Sequence, residues 1–342
     1  MRHWPVSARH GGRLARQCAG VLLLAAAIWL GSPHAVPAQV IRDNFDSGTF
    51  DKTIWALCNR KENEFAIVKD ADAGFFAAKM TIRPYPEMML FGLVERSRNC
   101  IGEKPFDDKS ERAEIWEADA VRLRFGADIW YGFTMFIDGS VSPEESRLVI
   151  GQWKGPNDDS PMIAQRFQAH VFSITIEQRN NAPGHDKDDT QCRIVVAHDA
   201  KFPLAQQGDR PDFFALFEKE NKGGPIGLFV GSLGHDRAET VHTPLPCRTD
   251  IAIEPHNDLP DPFGRWTRMI YHFRVAGDAN GYLDIWADDV PIVTVRGRIG
   301  FPGSSNDIQY FKFGPYRDRA HLNGIYAMLA RYARGPRKED VQ

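Results

Sequence analysis

Apolar and polar residues alternate with a period of two along much of the chain, which predicts strands that bury one face. These segments are rich in Val, Ile, Phe, Tyr and Trp and are bounded by Gly, Pro, Asn and Asp. They lie at 75–82, 112–116, 130–137, 147–154, 165–176, 193–197, 266–275, 282–286, 310–316 and 324–333. Asn280-Gly281 and Asp288-Asp289 have the composition of tight hairpin turns. Many strands with almost no amphipathic-helix pattern predict an all-β fold, a large antiparallel sandwich.

The stretch 201–262 departs from this pattern. It is rich in Gly, Pro and charge, and one helical turn is indicated at 212–220. We expect long loops over one end of the sandwich, because loops of this length in a compact domain are commonly functional or disordered. A lid or groove wall and an insertion without function both stay open.

The N-terminal segment has the features of a secretory signal peptide. Four basic residues and no acidic residue precede an apolar run at 21–30: Arg2, Arg9, Arg13 and Arg16. The run is too short to span a bilayer comfortably. Val36-Pro37-Ala38 then supplies the small residues of a cleavage site. We therefore expect a secreted or periplasmic protein with no membrane partner after cleavage. Its expected parts are a signal peptide, a single domain and a tail, at 1–38, 39–336 and 337–342.

Charge and cysteine content narrow the class further. The 342 residues carry a net charge of −3, which becomes −7 if the four signal-peptide arginines are removed. An acidic chain gives no electrostatic reason to expect a nucleic-acid partner. Export would leave four of the five cysteines in an oxidising compartment, where they are disulfide candidates. Of the three possible pairings we prefer the sequence-local one, Cys58–Cys100 with Cys192–Cys247.

The most distinctive motif is Tyr-Phe-Lys-Phe-Gly-Pro-Tyr-Arg at 310–317. Successive residues of a strand face opposite sides, so Phe311 and Phe313 are expected to face the core. The opposite face carries Tyr310, Lys312 and Tyr316. Gly314 is expected to leave backbone space between these side chains for a bulky group. The alternative is an ordinary solvent face, where Tyr and Lys are common.

Two further motifs alternate in the same way. In Ser-Glu-Arg-Ala-Glu-Ile, Arg112 and Glu114 share a face about 6–7 Å apart. The acid can hold the guanidinium as a fork for a substrate carboxylate, although a salt bridge of little energetic value is the alternative. In Gly-Gln-Trp-Lys-Gly, Gln152 and Lys154 share a face, and an amide beside a cation can bind a carboxylate.

In this order and spacing the three motifs resemble those of the heparin lyase I-like polysaccharide lyases. The related alginate and glucuronan lyases carry the similar motifs Arg-x-Glu, Gln-x-His and Tyr-Phe-Lys-x-Gly-x-Tyr. The likeness runs from about Val40 to Arg334. It implies a concanavalin-like β-jelly-roll with a groove across its concave sheet, in agreement with the all-β sandwich that the alternation predicts.

The resemblance also implies β-elimination at a uronic acid of an acidic polysaccharide. Such an enzyme must neutralise the carboxylate beside C5, remove the C5 proton and protonate the leaving O4. Carried over by motif, Arg112 and Gln152 would neutralise the carboxylate, with Glu114 orienting Arg112. Tyr316 would donate the proton, and Lys312 would hold the sugar or favour the phenolate. The remaining motif side chains are expected to bind substrate: Tyr310, Trp153 and Arg317.

One position departs from the family pattern. Relatives often have a catalytic His two residues after the Gln, and here that residue is Lys154, which can act as a base only where its surroundings keep it neutral. His170 is an alternative base, although a structural role is commoner for such a histidine, and Tyr316 could act alone. In glucuronate-type sugars H5 and O4 lie on the same face, so one tyrosine can take the proton as a phenolate and return it as a phenol. The missing His therefore favours a substrate that permits syn elimination.

Two other functional classes stay open. A sandwich glycoside hydrolase needs two carboxylates about 5.5 Å apart on one face, whereas Glu114 faces opposite to Glu117 and Asp119. A non-catalytic sugar-binding module would use the same aromatic and cationic side chains without turnover. The motifs require no cofactor; Ca²⁺ would suit the acidic loops at 157–159 and 185–189, although solvated loops are the commoner explanation. A monomer is expected.

Overall fold

Two antiparallel sheets contain almost all the regular structure in the part of the chain that the structure describes. This structure is a computed structural model. It describes residues 39–57, 63–84, 110–139, 148–155, 161–168, 171–179, 190–201, 228–232, 251–301, 308–318 and 323–342. Short 3-10 turns occur at Asp119–Val121 and Lys338–Asp340. Among the described residues, no helix is both long enough and apolar enough to cross a membrane.

The first sheet has nine strands in the order β14-β17-β16-β15-β8-β19-β4-β3, with β1 paired to β19. Its strands are β1 (Ile41–Asp43), β3 (Asn63–Lys69), β4 (Phe76–Ile82), β8 (Ile129–Ile137), β14 (Ala252–Pro255), β15 (Trp266–Arg274), β16 (Tyr282–Ala287), β17 (Val290–Arg296) and β19 (Ile325–Gly335).

The second sheet has ten strands in the order β13-β12-β11-β10-β9-β18-β6-β2, with β5 and β7 also paired to β18. Its strands are β2 (Trp55–Leu57), β5 (Ser110–Arg112), β6 (Ile115–Glu117), β7 (Leu123–Arg124), β9 (Leu148–Lys154), β10 (Ile163–Gln168), β11 (Val171–Arg179), β12 (Thr190–His198), β13 (Leu228–Ser232) and β18 (Ile308–Asp318). The motifs at 151–155 and 310–317 thus lie side by side, on β9 and β18.

Aromatic side chains from both sheets meet in one core. Trp153 of β9 contacts Tyr271 of β15 with ring centroids 4.5 Å apart, and Phe311 of β18 contacts Phe133 of β8 at 5.2 Å. These four side chains are almost completely buried, and burying such a side chain contributes roughly 1.5–3 kcal/mol. The contacts place the sheets face to face, which confirms the predicted all-β antiparallel sandwich.

A charged group also lies inside this core. The carboxylate of Glu117, fully buried, accepts hydrogen bonds from the Tyr332 hydroxyl and the Phe311 backbone N–H, the latter at 2.8 Å. Arg334 Nη1 lies 2.8 Å from its Oε1, and the Tyr131 hydroxyl lies 3.3 Å from its Oε2. Burial raises the pKa of both phenols and the carboxylate adds to that effect, so both stay protonated as donors. The group joins β6 and β18 to β8 and β19.

Several details differ from the prediction. The segment 165–176, expected as one strand, contains parts of two paired strands, β10 and β11. The alternation did not predict β3, β13, β14 or β17, two of which lie in the loop-rich stretch 201–262; its helical turn at 212–220 falls outside the described residues.

The two predicted turns have different outcomes. Asp288-Asp289 is the tight turn expected, with φ of 48° and 66°, the left-handed region that Asp tolerates better than most residues. Asn280-Gly281 instead ends the longer connection 275–281.

Residues 337–342, expected as a tail, pack onto the nine-stranded sheet. Val341 joins a buried apolar cluster with Ile270 and Ala333. The carboxylate of Asp340 accepts hydrogen bonds from the backbone and side chain of Arg337. The last residues are therefore part of the folded unit.

Candidate active site

The three motifs meet on the outer face of the ten-stranded sheet, the face directed away from the core. Phe311 and Phe313 point into the core as predicted. On the opposite face, Lys312 lies between its cross-strand partners Gln152 of β9 and Trp116 of β6. Directly opposed residues of paired strands share a face, so the lysine and the amide lie on the same surface.

A bulge at Gly314-Pro315 shapes this surface. The register between β18 and β9 shifts between Phe313 and Tyr316, as it does where an extra residue bends one strand. Gly314 has φ of 133°, and a Cβ built there would lie 2.0 Å from the Ala113 carbonyl oxygen. The expectation that Gly314 leaves room for a bulky group is therefore wrong, because the backbone at Ala113 occupies that space.

This close approach of strands brings the guanidinium to the phenol. Arg112 is the cross-strand partner of Tyr316, and its guanidinium carbon lies 4.4 Å from the centroid of the tyrosine ring. The Arg112 side chain is 13% exposed, and Tyr316 is also partly exposed. A cation held over an aromatic face at this distance is attracted to the ring, and both groups remain within reach of a ligand.

Glu114 connects the guanidinium to the amide. Gln152 Nε2 donates a 2.5 Å hydrogen bond to Glu114 Oε1, and Arg112 Nη1 lies 3.9 Å from Glu114 Oε2. The Glu114 side chain is completely buried and Gln152 is nearly so. Among the described residues, Glu114 Oε2 accepts no hydrogen bond. The carboxylate thus lies beneath the surface and holds the two groups that the sequence assigned to the sugar carboxylate.

Lys312 is buried among aromatic rings rather than solvated. Its Nζ lies 4.6 Å from the centroid of Trp116 and 5.9 Å from that of Tyr310. Tyr310 is 9% exposed and also lies 4.4 Å beneath the Arg122 guanidinium. Lys154, the cross-strand partner of Tyr310, is partly exposed. The ordinary solvent face considered as the alternative does not describe this part of β18.

Two expected substrate-binding residues point the other way. Trp153 is completely buried in the core, where it contacts Tyr131 and Phe311 among others, so its assignment was wrong. Arg317 is 3% exposed; its Nε donates to Glu111 Oε2 at 3.0 Å and its Nη2 to the Asn323 carbonyl. That buried ion pair makes the substrate-binding role of Arg317 wrong as well.

Several predicted positions fall outside the described residues: the signal peptide at 1–38, His170, Cys58, Cys100, Cys247 and the acidic loops at 157–159 and 185–189. Cys192 lies in β12, and the disulfide pairing stays a prediction. Within the described ranges, no three His, Cys, Asp or Glu side chains are grouped to hold a metal ion.

A second charged group on the same outer face was missed. Arg166 of β10 and Arg193 of β12 both contact the buried carboxylate of Glu177 on β11, at 2.8 and 2.7 Å. Arg166, Glu177 and Arg193 each alternate along their strands with residues that point into the core, and this alternation is visible in the sequence. No motif marked them, because their meeting depends on the register of three strands.

Comparison with known families decides the class of protein. The family described as Polysaccharide lyase matches residues 45–330. The chain belongs to this family. It is a polysaccharide lyase, and its two antiparallel sheets form the sandwich expected of it. The finer resemblance to the heparin lyase I-like group stays a prediction.

Solved structures of lyases resemble this lyase at low identity. An endo-β-1,4-glucuronan lyase from the fungus Trichoderma reesei is 12% identical, with 89% of this chain and 98% of that chain covered and a TM-score of 0.47. An alginate lyase from Pseudomonas aeruginosa is 13% identical, with 83% and 99% covered and a TM-score of 0.38. Alginate lyase A1-II′, of polysaccharide lyase family 7, is 12% identical, with 84% and 96% covered and a TM-score of 0.40. No curated protein matches the sequence.

Proposed function

We propose that this polysaccharide lyase cleaves a uronate-containing polymer by β-elimination on the outer face of the ten-stranded sheet. The observation that carries the proposal is the Arg112 guanidinium 4.4 Å above the Tyr316 ring, with Gln152 one strand away on the same face. A cation, an amide donor and a phenol on one surface are the groups that uronate elimination needs.

Arg112 and Gln152 would bind the carboxylate beside C5 in this scheme. A guanidinium and an amide N–H can each donate to a carboxylate oxygen, and the charge that develops on that carboxylate as C5 loses its proton is then stabilised. Glu114 would act as a positioning residue. Its burial and its contact with both partners support orientation rather than direct contact with the sugar.

Tyr316 would transfer the proton. The C5–H bond breaks toward the phenolate oxygen, the C4–C5 double bond forms, and the C4–O4 bond breaks as O4 receives a proton. For a glucuronate-type sugar the same tyrosine can perform both transfers, because H5 and O4 lie on one face. Of the two roles considered for Lys312, its burial among aromatic rings favours the supply of positive charge near the phenolate over holding the sugar. Lys154 and His170 are the alternative bases for a sugar that requires two groups.

The finer parts of the proposal follow from the sequence. They are membership of the heparin lyase I-like group, secretion or periplasmic export directed by residues 1–38, and a monomeric state. Ca²⁺ is the one candidate cofactor, and the acidic loops would bind it. A glycoside hydrolase is disfavoured because Glu117 lies inside the core, on the other side of the sheet from Glu114.

A panel of heparin, heparan sulfate, alginate and glucuronan tests the proposal. We expect at least one carboxylated polymer to give the ultraviolet absorbance of an unsaturated uronate product. Release of reducing ends without that absorbance would indicate hydrolysis, and binding without either product would indicate a sugar-binding module. Both of these results contradict the proposal.

A further inference from the structure

The outer face of the ten-stranded sheet carries a second cationic group beside the proposed catalytic one. Arg166 Nη2 and Arg193 Nε contact the same oxygen of Glu177, Oε1, at 2.8 and 2.7 Å. Arg166 Nε also donates to the Thr175 hydroxyl at 2.9 Å. We call Arg166, Glu177 and Arg193 the arginine pair site.

The register of the strands puts this site level with the proposed catalytic groups. Tyr316, Val149 and Arg166 are paired across β18, β9 and β10, so the tyrosine and Arg166 lie about two strand spacings apart, roughly 10 Å. Trp153, Ile163 and Ile176 are likewise paired. Glu177, one residue beyond Ile176, is therefore level with Lys154, one residue beyond Trp153. A polymer lying across the strands would pass over both groups.

The charges of the site favour an anion. Two guanidiniums and one carboxylate leave an excess of one positive charge. The carboxylate is fully buried, whereas the Arg166 and Arg193 side chains are 14% and 21% exposed, so the cations form the outer layer. Glu177 Oε2 accepts no hydrogen bond from the described residues. The buried acid thus holds two guanidiniums that are each partly exposed.

Arg193 retains donors for a ligand. A guanidinium has five N–H groups, and the described residues engage only the one on Nε. The remaining N–H groups on Nη1 and Nη2 have the fork geometry that pairs with a carboxylate.

We propose that the arginine pair site binds the carboxylate of a second uronate, on a sugar away from the cleaved bond. This inference rests on the proposed function, because it assigns the same polymer to a neighbouring part of one surface. It makes the site a determinant of substrate binding and not of the chemical step.

Binding to glucuronan and to alginate, measured by calorimetry in a Tyr316→Phe background, tests the site. We expect Arg193→Gln and Arg166→Gln each to weaken binding roughly tenfold, the effect of losing a charge-assisted hydrogen bond. Arg296→Gln is the matched control, since Arg296 also pairs with a carboxylate, Asp284, at 2.7 Å but on the other sheet. Carboxyl-reduced glucuronan should bind weakly and equally to all variants.

Unchanged affinity in folded Arg193→Gln and Arg166→Gln proteins would overturn the site. Arg193→Lys keeps the ion pair with Glu177 if Arg193→Gln does not fold, and it should still weaken binding because a lysine lacks the fork. An equal loss of affinity in Arg296→Gln would also overturn it. Failure of the proposed function is separate: it would appear as absence of unsaturated product from the unmodified protein on every polymer.

Discussion

Glu114 and Glu117 are three residues apart, equally buried, and engaged in different ways. Glu117 points into the core, where two hydroxyls, one backbone N–H and the Arg334 guanidinium surround its carboxylate. Glu114 lies on the outer side of the same sheet, accepts one hydrogen bond from Gln152, and has its second oxygen 3.9 Å from Arg112.

The difference separates a carboxylate enclosed by the core from one that contacts side chains of the proposed active site. The donors around Glu117 all lie inside the core, so no ligand at the surface can reach that carboxylate. Around Glu114 the partners lie on the outer face of the sheet, and the Arg112 side chain is 13% exposed, so a ligand on that face can contact the guanidinium. Burial and charge alone do not distinguish the two residues; the neighbours do.

The largest effect on stability is expected at Glu117. Glu117→Ala leaves the Arg334 cation buried without its counter-charge and removes the acceptor of three other donors, which should lower the free energy of unfolding by about 3–5 kcal/mol. Denaturant unfolding measures this. Glu64→Ala is the control, since its side chain is 57% exposed and only 3.5 Å from Arg83. A small and similar change in the free energy of unfolding of both variants would show that Glu117 has no special structural role.

Arg112→Ala and Gln152→Ala should damage catalysis more than folding. Each removes a donor to the charge that develops on the substrate carboxylate, so kcat/KM should fall roughly 10²–10³-fold. Each variant also removes a partner of the buried Glu114 carboxylate, so the free energy of unfolding should fall by about 1–3 kcal/mol, a smaller effect than the loss of catalysis. Arg268→Ala on the other sheet should leave kcat/KM unchanged. If the activity loss merely follows loss of folded protein, the catalytic assignment is wrong.

Glu114 is expected to have a smaller effect, because it acts through other residues. Glu114→Gln keeps an acceptor for Gln152 but loses the charge beside Arg112, and should lower kcat/KM about tenfold; Glu114→Ala loses both and should be worse. Steady-state kinetics measure this: kcat/KM should be lower in Glu114→Ala than in Glu114→Gln, and KM should rise in the same order. Equal activities at unequal stabilities would indicate a structural role like that of Glu117.

The smallest effect, a slight change in Tm, is expected at Asp70, a carboxylate that is partly exposed. The backbone N–H of Ala73 and then the Trp266 indole lower the pKa of Asp70 by donating hydrogen bonds to its ionised form. Its contribution is therefore complete above the ordinary aspartate pKa of about 3.9 and is lost as pH falls through the lower folded value. Asp70→Asn should slightly reduce Tm at neutral pH, with a gap that closes in acid. A gap independent of pH would contradict this.

The alternation of residues predicted the fold and the face of each motif, because period two is a local property of the chain. Phe311 and Lys312 illustrate this. What the sequence could not supply depends on register between distant strands. The meeting of Arg166, Glu177 and Arg193 requires three strands to align, and the burial of Trp153 and Arg317 follows from which side of the sheet packs on the other. Both residues were assigned to the site because they belong to the motifs. Their positions in the alternation already put Trp153 on the opposite face from Gln152, and Arg317 on the opposite face from Tyr316.

The most direct test of the account is Tyr316→Phe, assayed for unsaturated product and for polymer binding on the same preparation. The account predicts that turnover falls by roughly 10²–10⁴-fold, the usual contribution of a general acid or base, while affinity for the polymer stays close to that of the unmodified protein. A variant that produces the unsaturated uronate at a near-normal rate would contradict the central role of this phenol.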